Sequence, residues 1–179
     1  MRIGTVLSPL VGWGDVLAAA AEAERLGLDA VGLWDHYHSA LPEHGYVAGW
    51  SAPGAIAART ERVRLVPMVL NGLHYDPGVL AKESSVLSHI SHHRFEFGIG
   101  AGDRRQSFEA WCERFPPWEE RLARSEELVG AIRSLCQGQP VTMAGDHVRL
   151  HGAVCAPPRR AGRYNGQPDS PTSSTSTTH

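Results

Sequence analysis

The stretch Pro77–Gly102, PGVLAKESSVLSHISHHRFEFGIGAG, decides the fold because it joins a helix pattern to a strand pattern. Pro77 suits the first turn of a helix, and apolar residues then recur at helical spacing, so we expect a helix over Pro77–Ser91. Arg94–Ile99 predicts a strand that runs straight into Gly100-Ala101-Gly102. A helix that leads directly into an apolar strand is typical of a βαβ unit.

The same alternation extends towards the N-terminus. Three further strands are predicted, at Ile3–Leu7, Asp29–Trp34 and Val63–Val69. Between them the sequence predicts a helix from an Asp15 N-cap to Leu26, which Gly27 ends, and a short helix over Pro53–Arg59. Four strands in alternation with helices imply right-handed connections and a parallel sheet, which is an α/β fold.

Towards the C-terminus the pattern changes twice. A long helix is predicted after Pro116-Pro117, and Val141–Leu150 is typical of a β-hairpin. From Pro157 to His179 there is no Val, Ile, Leu, Met, Phe or Trp, so this segment has little apolar surface to offset its conformational entropy. We therefore expect one ordered domain over residues 1–156 and a disordered Ser/Thr/Pro-rich tail over residues 157–179.

Composition excludes several classes of function. The net charge is −2 and the arginines form no cluster, so the chain has no nucleic-acid footprint. Cys112, Cys136 and Cys155 form no C-x-x-C pair, which argues against a disulfide framework or a zinc site. No secretory signal is visible, and charged residues interrupt the Ala-rich stretch Val16–Leu26, which favours a helix over a membrane span. We expect a cytoplasmic protein without a metal, a membrane or a nucleic-acid partner.

Asp35-His36, just past the second strand, is the first candidate site. Ligands of parallel α/β folds bind at the carboxyl ends of the strands. A histidine there can exchange a proton or a hydrogen bond with a bound ring near neutral pH, and the adjacent carboxylate can hold its tautomer. The alternative is that Asp35 caps a turn and His36 is an ordinary loop residue. The spacing of His36 and His38 could also suit a metal, but no third ligand is placed to join them.

The second candidate is Gly98-x-Gly100-x-Gly102-Asp103, at the end of the fourth strand. Asp103 occupies the place of the last glycine of a dinucleotide fingerprint, so that pattern fails. Glycines at a strand end can let the backbone approach a ligand, with Asp103 and later Glu109 facing the mouth of the site. A glycine-lined turn with a capping aspartate explains the same residues without a ligand. Pro67-Met68, inside the third strand, predicts a local irregularity, because proline lacks a ladder donor.

Together these segments resemble the luciferase-like monooxygenase superfamily, and most closely its deazaflavin-dependent branch. The resemblance is carried by six stretches in the same order and spacing, Leu33–His36, Ile56–Leu65, Tyr75–Lys82, Leu87–Gly102, Phe115–Arg121 and Pro140–His147. It implies a (β/α)₈ TIM barrel with a cofactor ring at its carboxyl-end mouth. The implied cofactor is the deazaflavin coenzyme F-420, with FMN as the alternative, and the implied partner is a small organic substrate.

The resemblance also assigns roles to residues. It makes Asp35, His36 and the strand end Gly100-Ala101-Gly102 cofactor or substrate contacts. It places Pro67-Met68 where related enzymes carry a non-prolyl cis peptide behind the ring. The catalytic candidates are His36 and an acid at Asp103 or Glu109, and the implied chemistry is hydride transfer at C5 of the ring, or oxygen activation with a true flavin.

A TIM barrel typically takes about 250 residues and eight strands, whereas four strands and a hairpin are predicted here. We therefore expect a truncated barrel, the N-terminal half, with two open edges and an exposed inner face. Such a half-barrel would form a homo-oligomer or pair with another half-barrel. A non-catalytic half-barrel that acts as a dimerisation or regulatory partner is the competing interpretation.

Overall fold

The computed structural model describes residues 1–8, 12–37, 49–111 and 114–159. The helices of this part are α1 Trp13–Arg25, α2 Ser51–Ala57, α3 Pro77–Ile90, α4 Arg105–Glu109 and α5 Trp118–Leu135. The strands are β1 Gly4–Val6, β2 Ala30–Gly32, β3 Arg64–Leu65, β4 Leu70–Asn71, β5 Ile99–Gly100, β6 Val141–Ala144 and β7 Arg149–Ala153. Most of the tail and His38 lie outside the described residues, so the predictions made for them stay predictions.

Parallel pairing of short strands confirms the α/β fold. The strands β1, β2 and β3 form one parallel sheet, β4 and β5 form a second, and a parallel bridge between Leu65 and Phe95 links the third and fourth predicted strands. The antiparallel hairpin β6–β7 packs beside α5. No helix in the described part of the chain is long and apolar enough to cross a membrane.

The third strand, predicted as continuous, is interrupted in the structure. The N–H of Val66 and the N–H of Met68 donate to the second strand, whereas the N–H of Leu70 donates to the Gly98 carbonyl on the other side. Pro67 is buried and has no N–H to donate, but the Met68 N–H that follows it still donates to the second strand. The N–H groups turn to the fourth strand between Met68 and Leu70, and β3 and β4 are separate.

The helix α2 begins and ends two residues before its predicted bounds, α4 was not predicted, and the start of α1 needs a correction. The prediction of Asp15 as an N-cap was wrong, because α1 begins at Trp13 with Gly12 as its N-cap and Asp15 lies in the first turn. A carboxylate is favourable in that turn because it faces unpaired N–H groups. Gly27, which follows this helix, has a φ of +80°, the left-handed conformation that favours glycine.

The core lies between the sheet and its helices. The side chains of Val31, Leu65 and Phe95 are each at most 2% exposed and pack against α1 and α2. A second cluster joins Leu70 to α3 and α5. On the other face of the sheet, by contrast, the side chains of Val6, Trp34 and Met68 are exposed. This inner face also carries an ion pair between Arg64 and Glu96.

Arg94 lies inside the core and ties three segments together. Its side chain is 7% exposed, and every N–H of its guanidinium has an acceptor. The acceptors are the carbonyls of Ser91, Val63, Ala57 and Thr60 and the Thr60 hydroxyl, at 2.8–2.9 Å. The carbonyls of Thr60 and Ser91 follow the ends of α2 and α3, where unpaired carbonyls favour a cation.

Two loops are held by a carboxylate from a neighbouring helix. Glu24 of α1 accepts hydrogen bonds from the backbone N–H groups of residues 61–63, at 2.5–3.0 Å. Glu127 of α5 accepts from residues 146–148 in the hairpin turn, at 2.8–3.1 Å. A Cβ at Gly145 would lie 2.1 Å from the Oε2 atom of Glu127, so this clamp needs a glycine there.

Candidate functional site

A cavity of about 330 Å³ lies at the carboxyl ends of the parallel strands. It is lined by residues 34–36 after β2, by Met68–Asn71 through β4 and by Gly100–Asp103 after β5. Its volume is within the range of about 300–1,000 Å³ found for small-molecule sites. The strand ends thus bring together residues that are far apart in the sequence.

Asp35 is the buried polar residue of this wall. Its side chain is 3% exposed, and both of its carboxylate oxygens accept hydrogen bonds. The N–H of Asn71 donates to Oδ2 at 2.9 Å, and the Tyr75 hydroxyl donates to Oδ1 at 3.1 Å. Burial raises the pKa of Asp35, while these two donors and the nearby rings of His74 and His36 oppose the rise. The carboxylate is therefore fixed from the protein side, and Asp35 is among the residues that line the cavity.

His36 lies next to Asp35 and is partly buried. Burial lowers its pKa, and the charge of Arg104 lowers it further, whereas the carboxylates of Asp103 and Asp35 act in the opposite direction. The net result is an imidazole that is mainly neutral at neutral pH. A neutral imidazole in a cavity can accept a proton from a bound hydroxyl.

Tyr75, Tyr37 and His74 form the support behind Asp35. The Tyr37 hydroxyl donates to the Tyr75 hydroxyl at 2.8 Å, and the rings of Tyr37 and His74 stack with centroids 4.5 Å apart. Sequence reasoning missed this support because its hydrogen bonds join residues 38 and 40 positions apart. An available signal was a run of polar and aromatic residues after the third strand, in the same position as the polar run after the second.

The glycine-rich strand end is explained by packing within the protein. A Cβ at Gly98 would lie 2.0 Å from the Pro67 carbonyl oxygen, and one at Gly100 would lie 2.7 Å from Val69. Gly102 has a φ of +79° and equally close neighbours. The glycines let two strands approach each other, and Gly100 and Gly102 line the cavity in addition.

The sequence profile of the luciferase-like monooxygenase family matches residues 1–176. The chain belongs to this family.

Relatives of this luciferase-like protein include F420-dependent glucose-6-phosphate dehydrogenases. The one from Kineococcus radiotolerans is 34% identical over 148 residues, which are 79% of this chain and 42% of the relative. The one from Amycolatopsis mediterranei is 32% identical over 139 residues, which are 76% of this chain and 41% of the relative. The chain thus spans about two fifths of the length of these curated relatives.

Solved structures of the family share the fold. Monooxygenase RslO1 from Streptomyces bottropensis superposes with a TM-score of 0.76 at 31% identity, over 91% of this chain and 51% of that one. An F420-dependent secondary alcohol dehydrogenase in complex with an F420-acetone adduct superposes with a TM-score of 0.81 at 24% identity, over 90% of this chain and 49% of that one. The luciferase-like protein therefore matches about half of these structures.

The residues suggested by the family resemblance are distributed unevenly around the cavity. Asp103 lines it with an exposed side chain, and Met68 also lines it. Pro67 is buried and is not among the lining residues, and the non-prolyl cis peptide joins Met68 to Val69, one bond later than expected. Glu109 lies in α4, forms an ion pair with Arg105 at 3.1 Å and is not among the lining residues either. Of the two acids considered, Asp103 is the one that the fold brings to the cavity.

Proposed function

We propose that this chain forms the ring-binding half of a deazaflavin-dependent oxidoreductase that acts on a small organic alcohol or carbonyl compound. One observation carries the proposal: Asp35 and His36 meet the glycine-rich strand end at the carboxyl-end cavity of a family with F420-dependent relatives. In the complete (β/α)₈ barrel, the other strands would come from a second copy of the chain or from another half-barrel. The proposal includes a cytoplasmic location.

The residues of the cavity suit a planar heterocyclic ring. The apolar side chains of Met68 and Val69 line the cavity and are 47% and 41% exposed, so they can pack against a flat surface. The polar residues among the lining are Asp35, His36, Asn71 and Asp103. An apolar lining with few polar groups is the usual composition of a cofactor site. Asp35, His36, Met68 and the backbone of Gly100–Gly102 would hold the ring.

When bound, the deazaflavin supplies a hydride acceptor or donor at its C5 atom. The protein supplies orientation and proton transfer. The neutral imidazole of His36 can take the proton of a substrate hydroxyl as that carbon is oxidised, and it can return the proton in the reverse direction. Asp35 offers a fixed acceptor for an N–H or O–H group of the bound molecule, and Asp103 is the second acid at the cavity.

FMN is the alternative cofactor. A Type II Baeyer-Villiger monooxygenase in complex with FMN shares the fold at a TM-score of 0.70. With a true flavin the chemistry would be oxygen activation. A non-catalytic half-barrel that acts as a dimerisation or regulatory partner is the second candidate function, and the observation that favours it is the coverage of only about two fifths of the curated relatives.

Titration of the purified chain with the deazaflavin and with FMN tests the proposal. A saturable fluorescence change with the deazaflavin is expected, and His36→Ala and Asp35→Asn should each weaken it about tenfold, because each removes a polar contact to the ring. Ser134→Ala on α5, which is not among the residues lining the cavity, serves as the matched control and should leave the affinity unchanged. Saturation by FMN alone would select the flavin, and no saturation by either would favour the non-catalytic half-barrel.

A further inference from the structure

A series of hydrogen bonds leads from two partly buried tyrosines to the buried carboxylate of Asp35 at the cavity wall. The Tyr37 hydroxyl donates to Tyr75, and the Tyr75 hydroxyl donates to Asp35. Of these three residues, Asp35 alone is among those that line the cavity. The two tyrosines are therefore placed to act on a bound molecule through the carboxylate.

The carboxylate depends on these donors because it is buried. Removal from water disfavours the charged form of Asp35 and raises its pKa, and hydrogen bonds to the charged form offset part of this rise. One donor, the backbone N–H of Asn71, is set by the strand pairing of β4. The other, the Tyr75 hydroxyl, is a side-chain donor and can be removed by substitution.

Packing holds the two phenol rings in place. The Tyr75 ring makes an edge contact with Trp50, with centroids 6.4 Å apart. The Tyr37 ring is stacked on His74, the residue before Tyr75. A phenol that accepts one hydrogen bond becomes a better donor of the next, so Tyr37 strengthens the bond from Tyr75 to Asp35.

We propose that Tyr75, supported by Tyr37, is a positioning residue that favours the ionised form of the Asp35 carboxylate and holds it in one orientation at the cavity wall. The lone pairs of Asp35 that remain then present an acceptor of fixed direction to a bound molecule. The identity of that molecule rests on the proposed function, but the effect on the carboxylate does not. The titratable groups that face Asp35 are His36, His74 and Tyr75.

The first test follows the carboxyl group of Asp35 in the protein without a cofactor. Tyr75→Phe removes the donor and keeps the ring, so the ¹³C titration of the Asp35 carboxyl should move to higher pH. The Asp35 signal is identified by its absence from Asp35→Asn. Tyr37→Phe should cause a smaller move in the same direction, and Ser134→Ala should cause none. An unchanged midpoint in Tyr75→Phe overturns the proposal, and if that variant does not fold, an unchanged midpoint in Tyr37→Phe does so.

The second test separates positioning from a general structural role. Tyr75→Phe should weaken deazaflavin binding about three- to tenfold in the wild-type background and have no further effect in Asp35→Asn. Equal losses in both backgrounds would show that Tyr75 acts independently of Asp35, which overturns the proposal. If no variant or wild-type chain binds the deazaflavin or FMN, the proposed function fails, whereas the carboxyl titration still decides the role of Tyr75.

Discussion

Replacing Arg94 by methionine tests whether its hydrogen bonds hold the sheet and two helices together. Methionine is also long and unbranched, so the substitution removes the guanidinium while it keeps much of the buried volume. It leaves the carbonyls of Ser91, Val63, Ala57 and Thr60 without this donor. The Thr60 hydroxyl keeps a partner, because it donates to a carbonyl in α2 at 2.8 Å.

The expected loss of stability is large. The Ser91 carbonyl keeps the backbone N–H of residue 94 at 3.3 Å, so three carbonyls are left unpaired. Each buried acceptor left unpaired costs about 1–3 kcal/mol, which would give about 3–9 kcal/mol for the three. Removing a buried charge recovers part of this, so we expect Arg94→Met to lower the free energy of unfolding by about 3–5 kcal/mol. Lysine keeps the charge but has three donors for five acceptors, and Arg94→Lys should cost about 1–3 kcal/mol.

Urea unfolding followed by circular dichroism measures these losses. Arg25→Met is the control, because the Arg25 side chain is exposed and pairs with Glu22 within the same helix. That variant should unfold at the same urea concentration as the wild type. A loss below about 1 kcal/mol for Arg94→Met, or equal losses for the methionine and lysine variants, would refute the argument from hydrogen bonds.

Further predictions concern pH, a loop and the strand end. Burial lowers the pKa of His36 and of His74 below 6.5, so below that pH the unfolded chain binds more protons than the folded chain. The free energy of unfolding should therefore fall as the pH is lowered through this range. The fall should be smaller in a His36→Ala/His74→Ala variant. The raised pKa of Asp35 opposes this fall at lower pH, since the folded state then takes up the proton first. Glu127→Gln should speed hydrogen exchange of the hairpin-turn amides, because the neutral side chain is a weaker acceptor. Gly98→Ala should cost about 1–3 kcal/mol in urea unfolding, because its Cβ would collide with a carbonyl oxygen.

Matched variants accompany these measurements. Glu126→Gln changes the charge of an exposed neighbour on α5 and should leave the turn amides protected. Gly130→Ala adds a methyl group to α5 where nothing lies within 4 Å, and it should stabilise the helix by about 0.5–1 kcal/mol. Equal exchange in the two glutamate variants, or equal stability in the two glycine variants, would contradict the stated causes. A stability that is flat between about pH 6.5 and about pH 5 would contradict the histidine prediction.

The helices other than α4, and the hairpin, could be predicted because their signals are local. Pro77 and the apolar spacing after it predicted α3 to within one residue at its end. The division of the third strand into two strands of two sheets could not be predicted, because it depends on which neighbouring strand the N–H groups of Val66, Met68 and Leu70 face.

The site was predictable in part for the same reason. Asp35 and His36 directly follow a strand, so their place at its carboxyl end can be predicted from the sequence. Tyr75 and the Asn71 N–H reach Asp35 only through the folded sheet, and nothing local links them. Arg94, predicted only as the start of a strand, has partners up to 37 positions away.

The clamp on the hairpin turn has a consequence for sequence variation. Glu127 recognises residues 146–147 through backbone N–H groups, so their exposed side chains can change freely among all residues except proline, which has no N–H. Gly145 has no such freedom while the glutamate is present, because a side chain there would occupy the space of the carboxylate. Among homologues of this sequence, Glu127 and Gly145 should therefore be conserved together or replaced together, whereas the residues at positions 146 and 147 should vary.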